Sequence, residues 1–131
     1  MLENNNNNND RVAVVTGASS GIGYATSLAL SKAGIRVAVG ARRIERVQEL
    51  EQQIVKEHDE GRTKGIGAEE EIFIRKKLDV TSKLDCDSFI DAVIKKWGRV
   101  DIIINNAGLF SHLTSHSSTL VTKCLYLSIC T

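Results

Sequence analysis

Four short strand-like segments alternate in this sequence with segments of helical period, and this alternation constrains the fold more than any other feature. Three of them are apolar runs, which are typical of strands covered on both faces of a parallel sheet: residues 11–16 (RVAVVT), 35–40 (IRVAVG) and 100–104 (VDIII). Residues 71–80 (EIFIRKKLDV), between the second and the last of these runs, predict one more strand. Strands that alternate with helices form right-handed crossovers. The sequence therefore predicts an α/β fold, a doubly wound parallel sheet that is truncated after about four strands.

The segments between these runs have apolar residues at helical spacing. The apolar positions are Ile22, Ala25, Leu28, Ala29 and Ala33 in the first segment, Ile44, Val47, Leu50 and Ile54 in the second, and Cys86, Phe89, Ile90, Val93, Ile94 and Trp97 in the third. Gly34 indicates the end of the first helix, and Ser82 can cap the third. Residues 58–70 (HDEGRTKGIGAEE) have glycines, many charges and no period, so they predict a polar surface loop.

The composition is that of one soluble globular domain. Of the 131 residues, 42% are hydrophobic and 25% are charged, and the formal net charge of +1 predicts no attraction to nucleic acid or to an anionic membrane. No apolar run approaches the ~20 residues of a membrane span, and no secretory signal is readable at the start. The three cysteines form no close pair, so a disulfide scaffold is not expected. We therefore predict a cytoplasmic protein without nucleic-acid or membrane partners.

The first apolar run leads into residues 16–23 (TGASSGIG), whose glycine spacing predicts a phosphate-binding turn. Gly17 stands where the strand must turn sharply, Gly21 where backbone must approach a diphosphate, and Gly23 where the helix must pack closely. Amides at the start of the helix would then face the phosphate oxygens. Nucleoside triphosphatases have a lysine after the last glycine of their loop, whereas Tyr24 follows here. The pattern favours a dinucleotide, with a plain tight turn as the alternative.

Four motifs in order resemble the amino-terminal half of the short-chain dehydrogenase/reductase family. They are TGASSGIG, ARR after the second strand, LDV after the third and NNAG after the fourth, and they cover residues 11 to about 108. The resemblance implies a Rossmann-like fold and a nicotinamide cofactor. It also implies an oxidoreductase that transfers a hydride between this cofactor and a small carbonyl or alcohol substrate.

The resemblance further implies which residues contact the cofactor. Gly17, Ser19, Ser20, Gly21 and Ile22 would line the diphosphate and the adenosine ribose, Asp79 and Val80 would meet the adenine, and Asn106, Ala107 and Gly108 would lie beside the nicotinamide ribose. The neighbouring Asn105 would help to tie the central strands together. A helix-capping role for Asp79 and a structural turn for NNAG are the alternatives.

The end of the second strand bears on the choice between the two nicotinamide cofactors. An acid at this point would accept hydrogen bonds from a ribose 2′-hydroxyl, whereas an arginine suits a 2′-phosphate. The chain has Arg42 and Arg43 here and no acid before Glu45. Because a guanidinium matches phosphate geometry, Arg42, supported by Arg43, predicts NADP in preference to NAD. Solvated arginines at a helix start are the alternative.

Catalytic residues of the family are not found in this chain. The family uses a tyrosine with a lysine four residues later, but Leu28 follows Tyr24 and Cys130 follows Tyr126 at that spacing. No asparagine follows Asn106, so the family's catalytic asparagine is missing as well. No catalytic residue is therefore predicted. A non-catalytic dinucleotide-binding module and a truncated, inactive gene product remain alternatives to the enzyme.

These observations divide the chain into three parts. Residues 1–10 form an Asn-rich tail predicted to be disordered, residues 11–108 the dinucleotide-binding half of a Rossmann domain, and residues 109–131 an atypical tail. His112, His116 and Cys124 lie among serines and threonines typical of a loop, so no metal site is predicted. The fourth strand would be left as an apolar edge, which can support self-association.

Overall fold

The computed structural model of this protein describes residues 10–19, 21–61 and 72–106. Strands and helices alternate through these residues, as the sequence predicts. In chain order they are β1 (Val12–Thr16), α1 (Gly21–Lys32), β2 (Arg36–Ala41), α2 (Val47–Gly61), β3 (Phe73–Lys77), α3 (Lys83–Trp97) and β4 (Ile102–Asn105). A short 3-10 turn, Ile44–Arg46, leads directly into α2.

The four strands form one sheet in the order β3-β2-β1-β4, and every neighbouring pair is parallel. In the register of the sheet, Val14 on β1 lies between Ala38 on β2 and Ile103 on β4. The chain therefore adds strands on one side of β1 and then crosses to the other side. Open α/β sheets bind ligands beside the carboxyl ends of the strands at such a reversal, which lies here between β1 and β4. The predicted fold class is confirmed.

Both faces of the sheet are covered, which explains the apolar runs. Successive side chains of a strand point to opposite faces. On β1, Val12 and Val14 pack with Phe89 of α3, whereas Val15 packs on the other face with Val47 and Leu50 of α2. The absence of polar alternation in β1 and β2 follows from this double coverage.

The fully buried positions of helix α1 are held by small residues, while Leu28 and Leu30 pack only partly against the core. Its helical period is predicted correctly, but its buried residues are Gly23, Ser27 and Ser31, and the side chain of Ile22 is 75% exposed. Small residues at intervals of four allow a helix backbone to approach its neighbours closely. The apolar spacing therefore indicates the helix and places Leu28 correctly against the core, but the innermost positions of the helix are not the predicted ones.

The other two helices follow their predicted apolar faces more closely. Val47, Leu50 and Ile54 of α2 are fully or almost fully buried, and Ile44 packs partly against them from the 3-10 turn. On α3 the predicted stripe is buried from Cys86 to Val93, while its last two members are only partly covered.

The boundaries of two helices test the predicted signals. Helix α2 runs to Gly61, so the first four residues of the predicted loop at 58–70 are helical. Charged residues are compatible with a helix, so the change of composition at His58 does not end it. Ser82 caps α3 as predicted, because its Oγ accepts the amide of Asp85 at 3.3 Å. The rest of that loop and most of the two predicted tails lie outside the described residues.

The two edges of the described sheet differ in chemistry. Edge strand β3 carries the basic run Arg75, Lys76 and Lys77, and charges of this kind protect an edge from pairing with other chains. Edge strand β4 carries three isoleucines, each half-buried. None of the helices in the described ranges is both long enough and apolar enough to cross a membrane.

Candidate functional site

The turn between β1 and α1 has the backbone that its glycines were expected to provide. Gly17 and Gly21 have φ angles of 68° and 63°, a region that residues with a Cβ rarely adopt. The amide of Gly17 donates to the carbonyl oxygen of Gly40 at 2.9 Å, which holds the turn against the end of β2. The turn is therefore fixed at the carboxyl edge of the sheet.

Gly21 and Gly23 face different surroundings. Among the described residues, a Cβ on Gly21 would meet no atom within 4 Å, so none of them blocks a ligand from the backbone here. A Cβ on Gly23 would lie 2.5 Å from Nδ2 of Asn106 and 2.7 Å from the carbonyl oxygen of Gly17. The sequence predicted close packing of Gly23 against the sheet. In the structure, the atoms that leave no room for a Cβ at Gly23 belong to the turn and to Asn106, the residue after β4.

Asn106 connects the end of β4 to this turn. Its Nδ2 donates to the carbonyl oxygen of Gly17 at 3.1 Å, and its backbone amide donates to Oγ1 of the buried Thr16 at 3.2 Å. The resemblance implied that Asn105 links the central strands. The structure shows that Asn106 links the end of β4 to the end of β1 through these two hydrogen bonds. The ends of β1 and β4 are thus held together at the reversal of the strand order.

The start of α1 is suited to an anion. The first amides of a helix have no partner within the helix, and its dipole is positive at this end. The first turn of α1 contains no acidic side chain to compete for these amides. Ile22, exposed beside Gly21, borders the same opening. These features of the turn after β1 fit the diphosphate of a dinucleotide.

A second group of polar side chains follows β2 and β3. Nη2 of Arg42 lies 3.2 Å from Oδ1 of Asp79, and the two side chains are 56% and 40% exposed. The same Oδ1 accepts the hydroxyl of Thr81 at 2.6 Å and its backbone amide at 3.0 Å. Arg43 is exposed and directly precedes the 3-10 turn before α2. The loops after β2 and β3 are therefore linked by an ion pair.

The pKa of the Asp79 carboxyl is lowered from its ordinary value of 3.8 to about 2. The hydrogen bond from the Thr81 hydroxyl makes the largest contribution, followed by the Thr81 amide and then by Arg42. Asp79 is consequently ionised at neutral pH. The acid at this position offers a fixed negative charge and acceptor oxygens rather than a proton.

Val80 is only 8% exposed and belongs to the core between the sheet and α3. Its side chain therefore packs in the protein core, so a contact between Val80 and an adenine ring, which stays a prediction, would have to use main-chain atoms.

The described residues of the predicted site all follow carboxyl ends of parallel strands. Gly17, Ser19, Gly21, Ile22 and Gly23 follow β1, Arg42 and Arg43 follow β2, Asp79 and Val80 follow β3, and Asn106 follows β4. Ser20, Ala107 and Gly108 lie outside the described residues, as do His112, His116 and Cys124. Within the described ranges no cluster of His, Cys, Asp or Glu could hold a metal ion.

Two residues of this region were not identified from the sequence. Thr16 and Thr81 each donate or accept hydrogen bonds that hold a site residue in place. The signal for Thr81 was available, because an Asp followed two residues later by a hydroxyl residue is typical of a turn closed by the aspartate side chain.

The fold and this edge define a class of protein, a doubly wound α/β domain with a glycine turn between its first strand and helix. The sequence model of the short chain dehydrogenase family matches residues 11–128. Since this match covers most of the sequence, the chain belongs to the short-chain dehydrogenase family.

Individual relatives agree with this assignment. The chain is 38% identical over 100 residues to an uncharacterised oxidoreductase of Staphylococcus saprophyticus, and the match covers 76% of this chain and 35% of that protein. It is 41% identical over 99 residues to a farnesol dehydrogenase of Aedes aegypti, covering 76% of this chain and 36% of that protein. The chain thus spans about a third of the length of these curated relatives.

Solved structures share the fold. A metagenomic short-chain oxidoreductase in complex with NADP matches with a TM-score of 0.71 and 26% identity, over 92% of this chain and 55% of that chain. The NADP-bound C-domain of a bacterial malonyl-CoA reductase matches with a TM-score of 0.69 and 33% identity, over 76% of this chain and 15% of that chain.

Proposed function

We propose that this chain binds a nicotinamide dinucleotide, NADP in preference to NAD, as the cofactor-binding part of a short-chain oxidoreductase acting on a carbonyl or alcohol. The family membership supports the class of reaction, and relatives solved with NADP support the class of cofactor. The substrate would be a small molecule. The residues of the glycine turn, of the loops after β2 and β3, and of Asn106–Gly108 are the proposed contacts.

The diphosphate is assigned to the start of α1. The open space beside Gly21 and the lack of acidic side chains in the first turn support this assignment, because the first amides of a helix have no partner within the helix. The dinucleotide would then extend along the carboxyl edge in both directions. Its adenosine half would lie towards the loops after β2 and β3, and its nicotinamide half towards the end of β4.

The proposed preference for NADP depends on the position of Arg42. It is the second residue after Gly40, it is exposed, and the nearest acid along the chain is Glu45, which lies beyond the end of β2 in the 3-10 turn. A guanidinium binds a phosphate through two parallel hydrogen bonds, which a ribose hydroxyl cannot reproduce. The proposed ligand of Arg42 is therefore the 2′-phosphate.

The bound nicotinamide would supply hydride transfer, which is chemistry of the cofactor. The 131 residues contain no Tyr-x-x-x-Lys sequence. This chain would therefore bind and orient the cofactor, and none of its side chains is proposed to transfer a proton.

A binding titration of the purified chain tests the proposal. NADPH and NADH would be titrated separately against the wild type and against Arg42→Ala, with nicotinamide fluorescence or calorimetry as the readout. Since charge-assisted hydrogen bonds contribute about 1.5–3 kcal/mol, NADPH should bind at least ~10-fold more weakly to the variant, and NADH should change less than about twofold.

Arg11→Ala is the matched control, because it removes an exposed arginine at the opposite, amino-terminal end of β1. It should change neither affinity. Equal losses of both cofactors in Arg42→Ala would refute the assignment of the 2′-phosphate. A wild-type chain that is folded by circular dichroism and binds neither cofactor would refute the proposed function as a whole.

A further inference from the structure

Asp79 holds the arginine on which the cofactor preference depends. Its Oδ1 lies 3.2 Å from Nη2 of Arg42 and joins the loop after β2 to the loop after β3. Among the described residues, Asp79 is the one ion-pair partner of Arg42. The contact therefore places the guanidinium beside Asp79 in the unliganded chain.

Asp79 is itself fixed by neighbours other than Arg42. Its carboxylate accepts the amide and the hydroxyl of Thr81, and its own backbone amide donates to Oδ2 of Asp85 at 3.0 Å. Its carbonyl oxygen accepts the amide of Ser82, the residue that caps α3. The acceptor for Arg42 is thus anchored to the start of α3 and stays in place when the arginine moves.

The contact leaves most of the guanidinium available. An arginine has five N–H donors in a planar fork, and the hydrogen bond to Asp79 uses one of them. The side chain is 56% exposed, so the remaining donors can be reached from solvent. A phosphate can therefore form two parallel hydrogen bonds to the fork while Asp79 keeps its own.

We propose that Asp79 is a positioning residue that sets the preference for NADP by holding the Arg42 guanidinium ready for the 2′-phosphate. This inference rests on the proposed function and adds to it the residue through which Arg42 is oriented. A free arginine loses considerable side-chain entropy when it binds a phosphate, and an arginine already held loses less. Asp79 therefore favours the phosphorylated cofactor although it carries a negative charge.

The charge of Asp79 opposes the phosphate only weakly. Both side chains of the ion pair are substantially exposed, so the surrounding water weakens the repulsion between the carboxylate and a phosphate. The charge at Oδ1 is also shared among three donors, two of which come from Thr81. Preorganisation of Arg42 consequently outweighs the repulsion between carboxylate and phosphate.

Affinities for NADPH and NADH in four proteins test this inference: wild type, Asp79→Asn, Arg42→Ala and the double variant. Asparagine keeps the size of the side chain and an oxygen acceptor for Thr81. We expect Asp79→Asn to weaken NADPH about three- to tenfold and NADH less than twofold. If the substitution instead disturbed the adenine, which both cofactors share, the two affinities would fall equally. The ratio of the two affinities therefore isolates the effect through Arg42.

In the Arg42→Ala background the same substitution should leave the ratio unchanged. A ratio that stays constant or rises in Asp79→Asn with Arg42 present overturns the inference. If Arg42→Ala does not lower the ratio of the NADPH affinity to the NADH affinity, the proposed preference for NADP is itself contradicted. The two failures are therefore distinguishable.

A pair of variants at Thr81 keeps the test decisive if Asp79→Asn does not fold. Thr81→Val removes the hydroxyl donor to Asp79 and nearly preserves the volume, whereas Thr81→Ser keeps the hydroxyl. Thr81→Val should lower the ratio of affinities about twofold, and Thr81→Ser should retain the wild-type ratio. Equal ratios in these two variants would contradict the role of the Asp79 carboxylate.

The unliganded chain offers a readout that does not involve the cofactor. Nitrogen-15 relaxation of the Arg42 Nε–H group should show a restricted side chain in the wild type and a mobile one in Asp79→Asn. Arg43, exposed and adjacent, is the internal control and should be unchanged. Equal mobility of Arg42 in both proteins would show that Asp79 does not hold it.

Discussion

The side-chain amide of Asn106 donates a hydrogen bond to the carbonyl oxygen of Gly17 across 3.1 Å, between residues 89 positions apart. The same nitrogen lies 2.5 Å from the point at which residue 23 would carry a Cβ. The turn after β1, the start of α1 and the end of β4 therefore constrain one another. A change in any of these three elements should alter the proposed diphosphate site.

Gly23→Ala should damage this junction. The new Cβ would lie within 3.0 Å of three atoms, including backbone of Gly17 and Ala18, so the turn would have to shift. Overpacking of this kind costs typically about 1–3 kcal/mol of unfolding free energy. Urea denaturation should show this loss, and a titration with NADPH should show at least tenfold weaker binding by the protein that remains folded.

Gly98→Ala is the matched control for that substitution. Gly98 ends α3 with a φ of 76°, and a Cβ there would meet no atom of the described residues within 4 Å. The backbone strain should cost about 1–2 kcal/mol of stability and leave cofactor affinity unchanged. Similar cofactor affinities in both alanine variants would contradict the role given to Gly23.

Asn106→Ala should interact energetically with Gly23→Ala. Alone, it removes the donor to Gly17 and should cost about 1–3 kcal/mol, since the carbonyl oxygen loses its partner. It also removes the atom nearest to the added Cβ, although the contact with the carbonyl oxygen of Gly17 at 2.7 Å stays. In a double-mutant cycle by urea denaturation, the loss of unfolding free energy in the double variant should be smaller than the sum of the two single losses by at least ~0.5 kcal/mol. Strict additivity would mean that the two residues do not share this contact.

Helix α1 should tolerate bulk on one face and not on the other. Ser27 is fully buried, and Ser27→Leu should destabilise the protein by about 1–3 kcal/mol through overpacking. Ala29→Leu adds a comparable side chain at an exposed position of the same helix and should change stability by less than about 0.5 kcal/mol. Thermal or urea unfolding of both variants checks the buried face. A greater loss of stability in Ala29→Leu than in Ser27→Leu would contradict the assignment of the buried face of α1.

Stability should depend on Asp79 in acid. The pKa of its carboxyl is about 2 in the folded chain, below the ordinary value of 3.8, mainly because of the Thr81 hydroxyl. A carboxyl with a lowered folded pKa contributes stability that is fully present above pH ~4 and is lost as the pH falls through about 2. Asp101, whose pKa is lowered mainly by its hydrogen bonds with Arg99, contributes in the same direction.

The unfolding free energy, measured by urea denaturation from pH 5 to pH 2, should therefore decline more steeply in the wild type than in Asp79→Asn. Between pH 5 and pH 8 Asp79 stays ionised, so its hold on Arg42 should not vary in that range. If the unfolding free energies of the two proteins fall in parallel with pH, Asp79 does not contribute to the loss of stability in acid.

Patterns that depend on local chemistry predicted the structure well. The order of strands and helices, the Ser82 cap and the glycine turn follow from side-chain period, capping and backbone sterics, which are legible in short stretches. The inner face of α1 did not follow, because it is chosen by how closely the helix must approach its neighbours. Hydrophobicity carries no signal for that distance, and Ser27 and Ser31 are polar.

The candidate site shows the same division. Each glycine and arginine was visible in a motif at the end of a strand, whereas the pairs Arg42–Asp79 and Asn106–Gly17 join residues that are 37 and 89 positions apart. Such partners are brought together by the order of strands in the sheet, which no single stretch contains. Sequence reasoning therefore supplied the residues and missed most of the contacts that orient them.

The position of β1 between β2 and β4 has a consequence for the synthesis of the molecule. One neighbour of β1 is synthesised about twenty residues after it, and the other only about ninety residues after it. Non-local pairing of this kind slows folding, and a nascent chain folds from its amino-terminal end. On the ribosome, β1 must therefore wait with one flank unpaired until β4 has emerged.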